Sequence, residues 1–396
     1  MPVLDDILII DLTQALAGPY CTMLLGDMGA EVIKVEQPGA GDQSRGWGPP
    51  FLRGESTYFL SVNRNKKSLT LNLKSDEGQE IMHRLITRAD AFITNLPRQS
   101  SRRKTGVDAP TLMALNPRLI YVSITGYGTT GPYAERPGYD LIAQAESGLM
   151  SLTGEPEGKP MRYPIPLSDM TTGVYAALGI VSALLARQRT GRGQELDLSL
   201  LESQSAWLSI LASAYTNAGQ EPERLGNIHP NIAPYQVFRA KDKHIIIAVG
   251  TQRLWARFCE ALGITDTVMN DPRFATNTDR LANREELIEL LQSILSQQEA
   301  NHWLEVLRTA QIPSGPINSV PEALAHPQLL DRGFNVELEH PLAGVVKSLA
   351  NPVHFSDTPI SYRLPPPALG EHNMAILRDL GFTPEEISKF EEKQVI

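Results

Sequence analysis

Cysteine is nearly absent from this sequence: Cys21 and Cys259 are the only two in 396 residues. Two thiols so far apart exclude a disulfide framework and a Cys-based zinc site, and they fit a reducing compartment. Basic charge is in deficit, with Lys+Arg 36 against Asp+Glu 45 and a net charge of −9. That balance argues against sequence-independent nucleic-acid binding and against docking on an anionic membrane. No uninterrupted apolar run approaches the ~18–20 residues of a membrane span. The stretch MPVLDDILIIDL lacks the basic n-region and small-residue cleavage site of a signal peptide. A cytoplasmic protein is expected, with neither nucleic acid nor membrane as partner. The eight histidines contain no pair at i, i+3 or i+4, and neither cysteine has a near histidine, so no metal site is expected. The G-x-G-x-x-G and G-x-S-x-G motifs are both missing, which removes the sequence signatures of a dinucleotide site and of a serine-hydrolase elbow.

What is present is a core-forming composition, 42% hydrophobic and 20% charged. The apolar run Ile7 to Leu12 reads as a buried parallel strand. A Gly18-Pro19 loop, a helix over 20–28 and a strand over 31–36 complete a βαβ unit. Further strands are expected over 68–73, 91–94, 119–124 and 194–198, with a helix over 76–88. Strands alternating with helices give an α/β fold: a doubly wound, Rossmann-like large domain. Residues 173–186 (GVYAALGIVSALLA) are apolar on nearly all sides, which suits a helix buried between layers or subunits. Residues 219–234 are rich in Pro, Gly and Asn and read as a linker. A hairpin with its turn at 240–243 comes next, then helices. The division expected is a large domain of 1–224 and 326–396, and a smaller α+β domain of 225–325.

Several residues have chemical potential. Glu36 at the end of the second strand suggests a dinucleotide site, which the missing glycine fingerprint opposes. Arg64, Lys66 and Lys67 cluster, as do Arg98, Arg102, Arg103 and Lys104; such clusters mark either a polyanionic ligand or ordinary surface loops. Asp140 follows the Gly-rich loop 126–131, and Asp169 precedes the apolar helix. An aspartate there is commonly an N-cap. Ahead of so apolar a helix it would also be poorly hydrated, and so more nucleophilic.

Five segments, in order, give the sequence a family likeness: AGPYCTMLLGDMGAEVIKVEQPGAGDQSRGWGP, NRNKKSLTLNLKSDEG, LNPRLIYVSITGYGTTGPYAERPGYDLIAQAESG, SDMTTGVYAALGIVSALLARQRTGRGQELDLSLLES and LGEHNMAILRDLGF. The chain resembles the class III CoA-transferases, of the formyl-CoA transferase and carnitine CoA-transferase type, from about residue 4 to its end. The resemblance implies an interlocked-ring homodimer. It makes Asp169 the nucleophile that carries acyl-anhydride and aspartyl-CoA intermediates. Tyr139 and Asp140 would border the reacting thioester, and Trp47 and Leu16 would line the acceptor pocket. Leu71, Asn72, Lys74 and Asn95 would hold the adenosine and pantetheine parts of CoA, with Arg103 or Lys104 near its phosphates. No resident cofactor is implied; coenzyme A enters as the acyl-CoA substrate.

Leu16 and Gln37 stand where oxalate-handling members carry a glutamine and a basic residue, and no glycine-rich flap lies between 225 and 252. These departures weaken oxalate and formate as substrates. Arg45, Arg136 and Arg162 offer guanidinium groups to a distal carboxylate, so a small dicarboxylate such as succinate, itaconate or mesaconate is expected. Backbone amides at Gly138 or Gly173 are candidate oxyanion donors. The rival within the superfamily is an alpha-methylacyl-CoA racemase, which pairs a histidine with the aspartate. Tyr139 occupies the histidine's place here, and a phenol with pKa near ~10 is a poor general base.

Overall fold

Six short segments rich in Ile, Val and Leu become the parallel strands of one sheet in the computed structural model, which describes residues 1–396. They are β1 (Leu8–Leu12), β2 (Glu31–Glu36), β3 (Lys66–Thr70), β4 (Ala91–Thr94), β5 (Ile120–Thr125) and β6 (Glu195–Ser199). Their order is β3-β2-β1-β4-β5-β6, with each neighbouring pair parallel. In such a sheet the chain reverses its winding between β1 and β4, and the crevice outside the carboxyl ends of the strands there is where ligands bind.

Six helices frame this crevice or pack beneath it: α1 (Ala17–Asp27), α2 (Asp76–Arg88), α3 (Gln99–Lys104), α4 (Asp140–Glu146), α5 (Leu167–Thr190) and α6 (Leu200–Ser205). Strand side chains alternate between two faces. Ile10, Ile33, Leu69 and Phe92 meet Ile81 and Leu85 of α2 on one face. Ile9, Val32, Ile93 and Val122 meet Leu25 of α1 and Ile180 of α5 on the other. The C-terminal segment returns to this sheet, where the Asn72 N–H donates to the Val395 carbonyl at 2.7 Å. The central parallel sheet is accompanied by smaller antiparallel pairings, among them Asn335–His340 with Gly344–Leu349.

Met1–Met150, Arg162–Gln220 and Pro327–Ile396 form one compact unit; Ser151–Met161 and Glu221–His326 form the other. The second has a three-stranded antiparallel sheet of Ser314–Pro316, His244–Ala248 and Tyr235–Arg239. Its core is built on Trp255, Phe258, Leu287, Leu291 and Trp303. The segment 151–161 was not expected there. It joins because the Gly226 N–H donates to the Gly154 carbonyl at 3.0 Å, a pairing with no local sequence signal.

Two helix starts differ from the sequence reading. α1 begins at Ala17 rather than Tyr20, after Ala15 turns the chain through a left-handed φ of 67°. α5 begins at Leu167 rather than Gly173, so Asp169 lies inside its first turn. The expected helix over 200–218 is interrupted by a 3-10 turn at Ala206–Leu208. The expectation that no segment reaches membrane length also needs correction. α5 contains a window apolar enough, by length and composition, to cross a membrane. Its apolar residues are interspersed with Thr171, Thr172 and Ser182, so counting uninterrupted runs misses it. Ala176, Ile180 and Ala183 of the same helix pack on the sheet.

α5 crosses α1 closely at Gly173. A Cβ there would come 2.7 Å from the Ala17 carbonyl oxygen. Glycine at this crossing lets the helix carrying Asp169 settle onto the loop after β1.

Candidate active site

The carboxyl ends of the strands open into a cavity of about 630 Å³. Its wall takes Leu71 to Lys74 from the end of β3, Gln37 from β2, Gln14 to Ala17 from β1, Asn95 to Pro97 from β4 and Gly126 from β5. β3 and β5 are four strand spacings apart, ~19 Å, so the cavity is elongated. Tyr139, Asp140, Arg162, Pro166 and Asp169 complete the wall, and Met170, next to Asp169, packs against Leu16 and Tyr58 beside the loop after β1. At the switch point the two loops are tied together: Asn95 Nδ2 donates to the Gln14 carbonyl at 2.8 Å, and the Gln14 N–H donates to Asn95 Oδ1 at 3.1 Å.

Asp140 organises the reacting end. Its Oδ1 accepts from the Ser168 N–H at 2.8 Å and from the Asp169 N–H at 3.3 Å. Its Oδ2 accepts from Gln144 Nε2 at 2.7 Å. Asp140 on α4 therefore caps the N-terminus of α5, whose own N-cap position is Pro166 and supplies no side-chain cap. The Asp169 carboxylate is released from any capping duty and accepts no hydrogen bond from the protein. Loss of water, and secondarily the Asp140 charge, push its pKa from 3.8 up to about 7. At that value the carboxyl is about half ionised near pH 7, where an ordinary aspartate would be fully ionised. A carboxylate nucleophile must be deprotonated. Activity is therefore predicted to rise with pH through an acid limb near pH 7 in kcat/KM. A limb near pH 4 would mean that the carboxylate is solvated.

Leu16 is buried in the wall and Trp47 stands at it, partly exposed. Trp47 meets Tyr58 edge to face, with centroids 4.9 Å apart. Tyr58 also lines the cavity, and sequence reasoning missed it because aromatics in so short a helix (TYFLSV) carry no functional signal. Burial and the nearby carboxylates of Asp169, Asp140 and Asp42 push its phenol up, so it remains a hydrogen-bond donor. Leu71, Asn72, Lys74 and Asn95 all reach the wall; Arg103 and Lys104 do not, although the adjoining Thr105 does. Both basic residues are exposed on the last turn of α3. Arg102 is buried and donates to the Leu96 carbonyl at 2.9 Å.

Other candidates are already engaged. Arg45 holds Glu36 with two hydrogen bonds, at 2.7 and 2.8 Å, and lies 3.7 Å over the Phe59 ring. That removes Arg45 as an anchor for a substrate carboxylate and Glu36 as a partner for a ribose. Arg136 pairs with Glu146 at 3.2 Å and stacks on Tyr127 and Tyr133. Gly173 lies within α5 beyond its first turn. Its N–H belongs to the helix ladder and is not free to hold an oxyanion. Gly138 remains at the wall, where its Cα passes so close to Gly126 that a Cβ on either would lie within 2.5 Å of the other's Cα.

The loop after β1 rests on buried charge. Lys34 Nζ donates to the Thr13 carbonyl at 2.8 Å and pairs with Asp42 Oδ2 at 2.8 Å. Asp42 Oδ1 accepts the Ala15 N–H at 3.1 Å. These contacts hold Ala15 in its left-handed turn and set Leu16 at the cavity.

Residues 4–373 match the family model described as CoA-transferase family III. The chain is 42% identical over 378 residues to the human protein named succinyl-CoA:glutarate CoA-transferase, covering 95% of this chain and 86% of that one. It is 42% identical over 385 residues to succinate–glutarate CoA-transferase of Agrobacterium fabrum, covering 96% of each. A crystal structure of a CAIB/BAIF family protein from Brucella suis superimposes with a TM-score of 0.86 at 41% identity, covering 96% of this chain and 99% of that one.

Proposed function

The chain belongs to CoA-transferase family III, and from that premise we propose that it moves CoA from a dicarboxylic acyl-CoA such as succinyl-CoA to a second small dicarboxylate, with Asp169 as the nucleophile. The observation that carries this reading is the Asp169 carboxylate itself. It is unhydrogen-bonded, poorly hydrated, and placed on a cavity wall by a cap borrowed from another helix.

The chemistry runs in two mirrored halves. Ionised Asp169 attacks the thioester carbonyl, and the carbon–sulfur bond breaks to release CoA thiolate and leave a mixed anhydride. The thiolate attacks the aspartyl carbonyl, which frees the donor acid and leaves aspartyl-CoA. The acceptor carboxylate then attacks that thioester, forming a second anhydride and releasing thiolate again. The thiolate finally takes the acceptor's acyl group and restores the Asp169 carboxylate. Both intermediates hydrolyse readily, so the site must exclude water during turnover. Leu16, Trp47 and Tyr58 supply apolar wall near the reacting end. Leu71, Asn72 and Lys74 after β3, with Asn95 after β4, hold the nucleotide and pantetheine parts of CoA. Arg103 and Lys104 serve as outer cations for its phosphates.

The test is an exchange assay. Acyl-CoA donors are crossed with glutarate, succinate, itaconate, mesaconate, oxalate and monocarboxylates in heavy water, with products read by mass spectrometry. CoA transfer without deuterium at the acyl α-carbon is the expected result. Deuterium entering a 2-methylacyl-CoA at the rate of turnover would instead indicate a racemase working through Tyr139.

A homodimer with interlocked rings is part of the same proposal. Val174, Leu178, Val181 and Leu185 form an exposed apolar stripe along α5, and Trp207, Ile210 and Tyr215 are exposed on the helical segments beyond α6. Single exposed apolar residues are unremarkable in a soluble protein, but a continuous stripe marks an interface. Light scattering is expected to give twice the 43.6 kDa chain mass at micromolar concentration and after dilution. A monomer would contradict the threaded topology. We also place the enzyme in the cytoplasm, a reducing compartment consistent with its two buried free thiols, Cys21 and Cys259.

A further inference from the structure

Of the three arginines considered as anchors for a substrate carboxylate, only Arg162 both stands at the cavity wall and lacks a carboxylate partner in the protein. It shares the wall with Asp169 and Tyr139, and its neighbour Tyr163 is tied to Gln144 of α4, whereas Lys74 follows β3 at the edge of the sheet. An acyl-CoA lying along the strand ends with its nucleotide near Lys74 brings its acyl group toward Arg162.

The backbone beside Arg162 is held in register with the nucleophile. The Tyr163 N–H donates to Gln144 Oε1 at 2.8 Å, and Gln144 Nε2 donates to Asp140 Oδ2 at 2.7 Å. The other oxygen of that Asp140 carboxylate caps the turn carrying Asp169. A single glutamine therefore links the anchor segment to the reacting segment. Local electrostatics also call for a cation. Asp169 and Asp140 place negative charge at this wall, and a free carboxylate on the acyl group would add more, which a cation at the same wall offsets.

We propose that the Arg162 guanidinium binds the remote carboxylate of the acyl group, and that this contact selects dicarboxylic over monocarboxylic acids in both halves of the reaction. The inference rests on the CoA-transferase reading above. Donor and acceptor acids occupy the same pocket in turn, so one arginine governs both preferences. A planar guanidinium grips a carboxylate through two parallel hydrogen bonds, which a lysine's point charge does not reproduce.

The experiment compares wild type with Arg162→Gln and Arg162→Lys on length-matched substrates: succinyl-CoA with glutarate, and butyryl-CoA with valerate. Wild type is expected to favour the dicarboxylic pair. In Arg162→Gln, kcat/KM for both succinyl-CoA and glutarate should fall about 10²-fold, mainly through KM, as expected for loss of a charged two-point contact. The monocarboxylic pair should change far less, and Arg162→Lys should fall between. An equal loss on both pairs, a preference surviving in Arg162→Gln, or no preference in wild type overturns the assignment. If wild type transfers CoA among none of these acids, the functional reading fails instead, so the two failures are distinguishable.

Discussion

Asp169→Asn is expected to abolish CoA transfer, by about 10⁴-fold or more, while making the protein more stable. The first effect follows from the covalent role: an amide cannot be acylated and then released as aspartyl-CoA, and removal of a nucleophile typically costs catalysis on this scale. CoA affinity should change little, since Leu71, Asn72 and Lys74 lie on the β3 side of the cavity. The second effect follows from linkage. The carboxyl has a pKa of about 7 in the folded protein against 3.8 as the unperturbed value, raised by lost hydration and then by Asp140. Between those values the folded state holds a proton that the unfolded state has given up. Stability from this group is therefore fully present below pH 4 and is lost as pH rises to 7. The neutral amide escapes that loss. The Asp169→Asn variant should match wild type near pH 4 and exceed it by up to about 4 kcal/mol at and above pH 7. A melting-temperature series across that range, run beside the transfer assay, reads both effects. Residual activity of more than a few per cent, checked for deamidation by mass spectrometry, would remove Asp169 from the nucleophile's role. A stability gap that does not grow with pH would mean that the carboxylate is better hydrated than its surroundings suggest.

The local parts of this architecture were legible because they are encoded locally. Apolar runs such as ILIIDL and the amphipathic helix over 76–88 announce strand and helix through their period alone. The importance of Asp169 was visible from its place ahead of an apolar helix and from the family likeness. Its release from capping was not, because the group that replaces it, Asp140, belongs to another helix 29 positions earlier. The same limit explains Arg45 and Arg136. A guanidinium in a sequence looks available until its carboxylate is located, and Glu36 and Glu146 are found only once the chain is folded. Segment 151–161 likewise left the large domain through a backbone pairing that composition does not record.

The basic cluster Arg64, Lys66 and Lys67 shows the limit most sharply, because its members have opposite surroundings. Alternation along β3 sends Lys66 inward and Lys67 toward solvent. Lys67 pairs with Glu31 at 2.6 Å with both side chains partly exposed. Arg64 is buried on Asp27 at 2.7 Å. Neither buried residue is available to a polyanion; both are internal counter-charges.

Lys66→Met should consequently be among the most destabilising single changes in the molecule, and Lys67→Met nearly silent. Lys66 Nζ is fully buried and donates to Asp11 Oδ2 at 3.1 Å, the Pro19 carbonyl at 2.9 Å and Asn63 Oδ1 at 2.8 Å. Methionine fills a similar volume but leaves Asn63 Oδ1 unpaired, takes one donor from the Pro19 carbonyl, which keeps Thr22 Oγ1, and leaves Asp11 short of its nearest cation. Breaking a buried pair from one side costs about 3–5 kcal/mol, a fall in melting temperature of order 10 °C. An exposed pair such as Lys67 with Glu31 is worth about 0–1 kcal/mol. A pH signature accompanies the larger effect. Burial alone would raise the Asp11 pKa, but Lys66 and Lys34 outweigh it and bring it down to about 2. That depressed value contributes stability above pH 4 which is lost as pH falls toward 2. Removing Lys66 lets the Asp11 pKa rise, so the gap between Lys66→Met and wild type should narrow over the same interval. Function should respond through the loop after β1. Asp11 Oδ1 accepts the Thr13 N–H at 3.0 Å, and Lys34 holds the Thr13 carbonyl, so a loosened Asp11 reaches Leu16 at the cavity. Acyl-CoA KM is expected to rise in Lys66→Met and to stay level in Lys67→Met. Equal losses of CoA affinity in the two variants, with stability intact in both, would instead return this cluster to the role of a polyanion site.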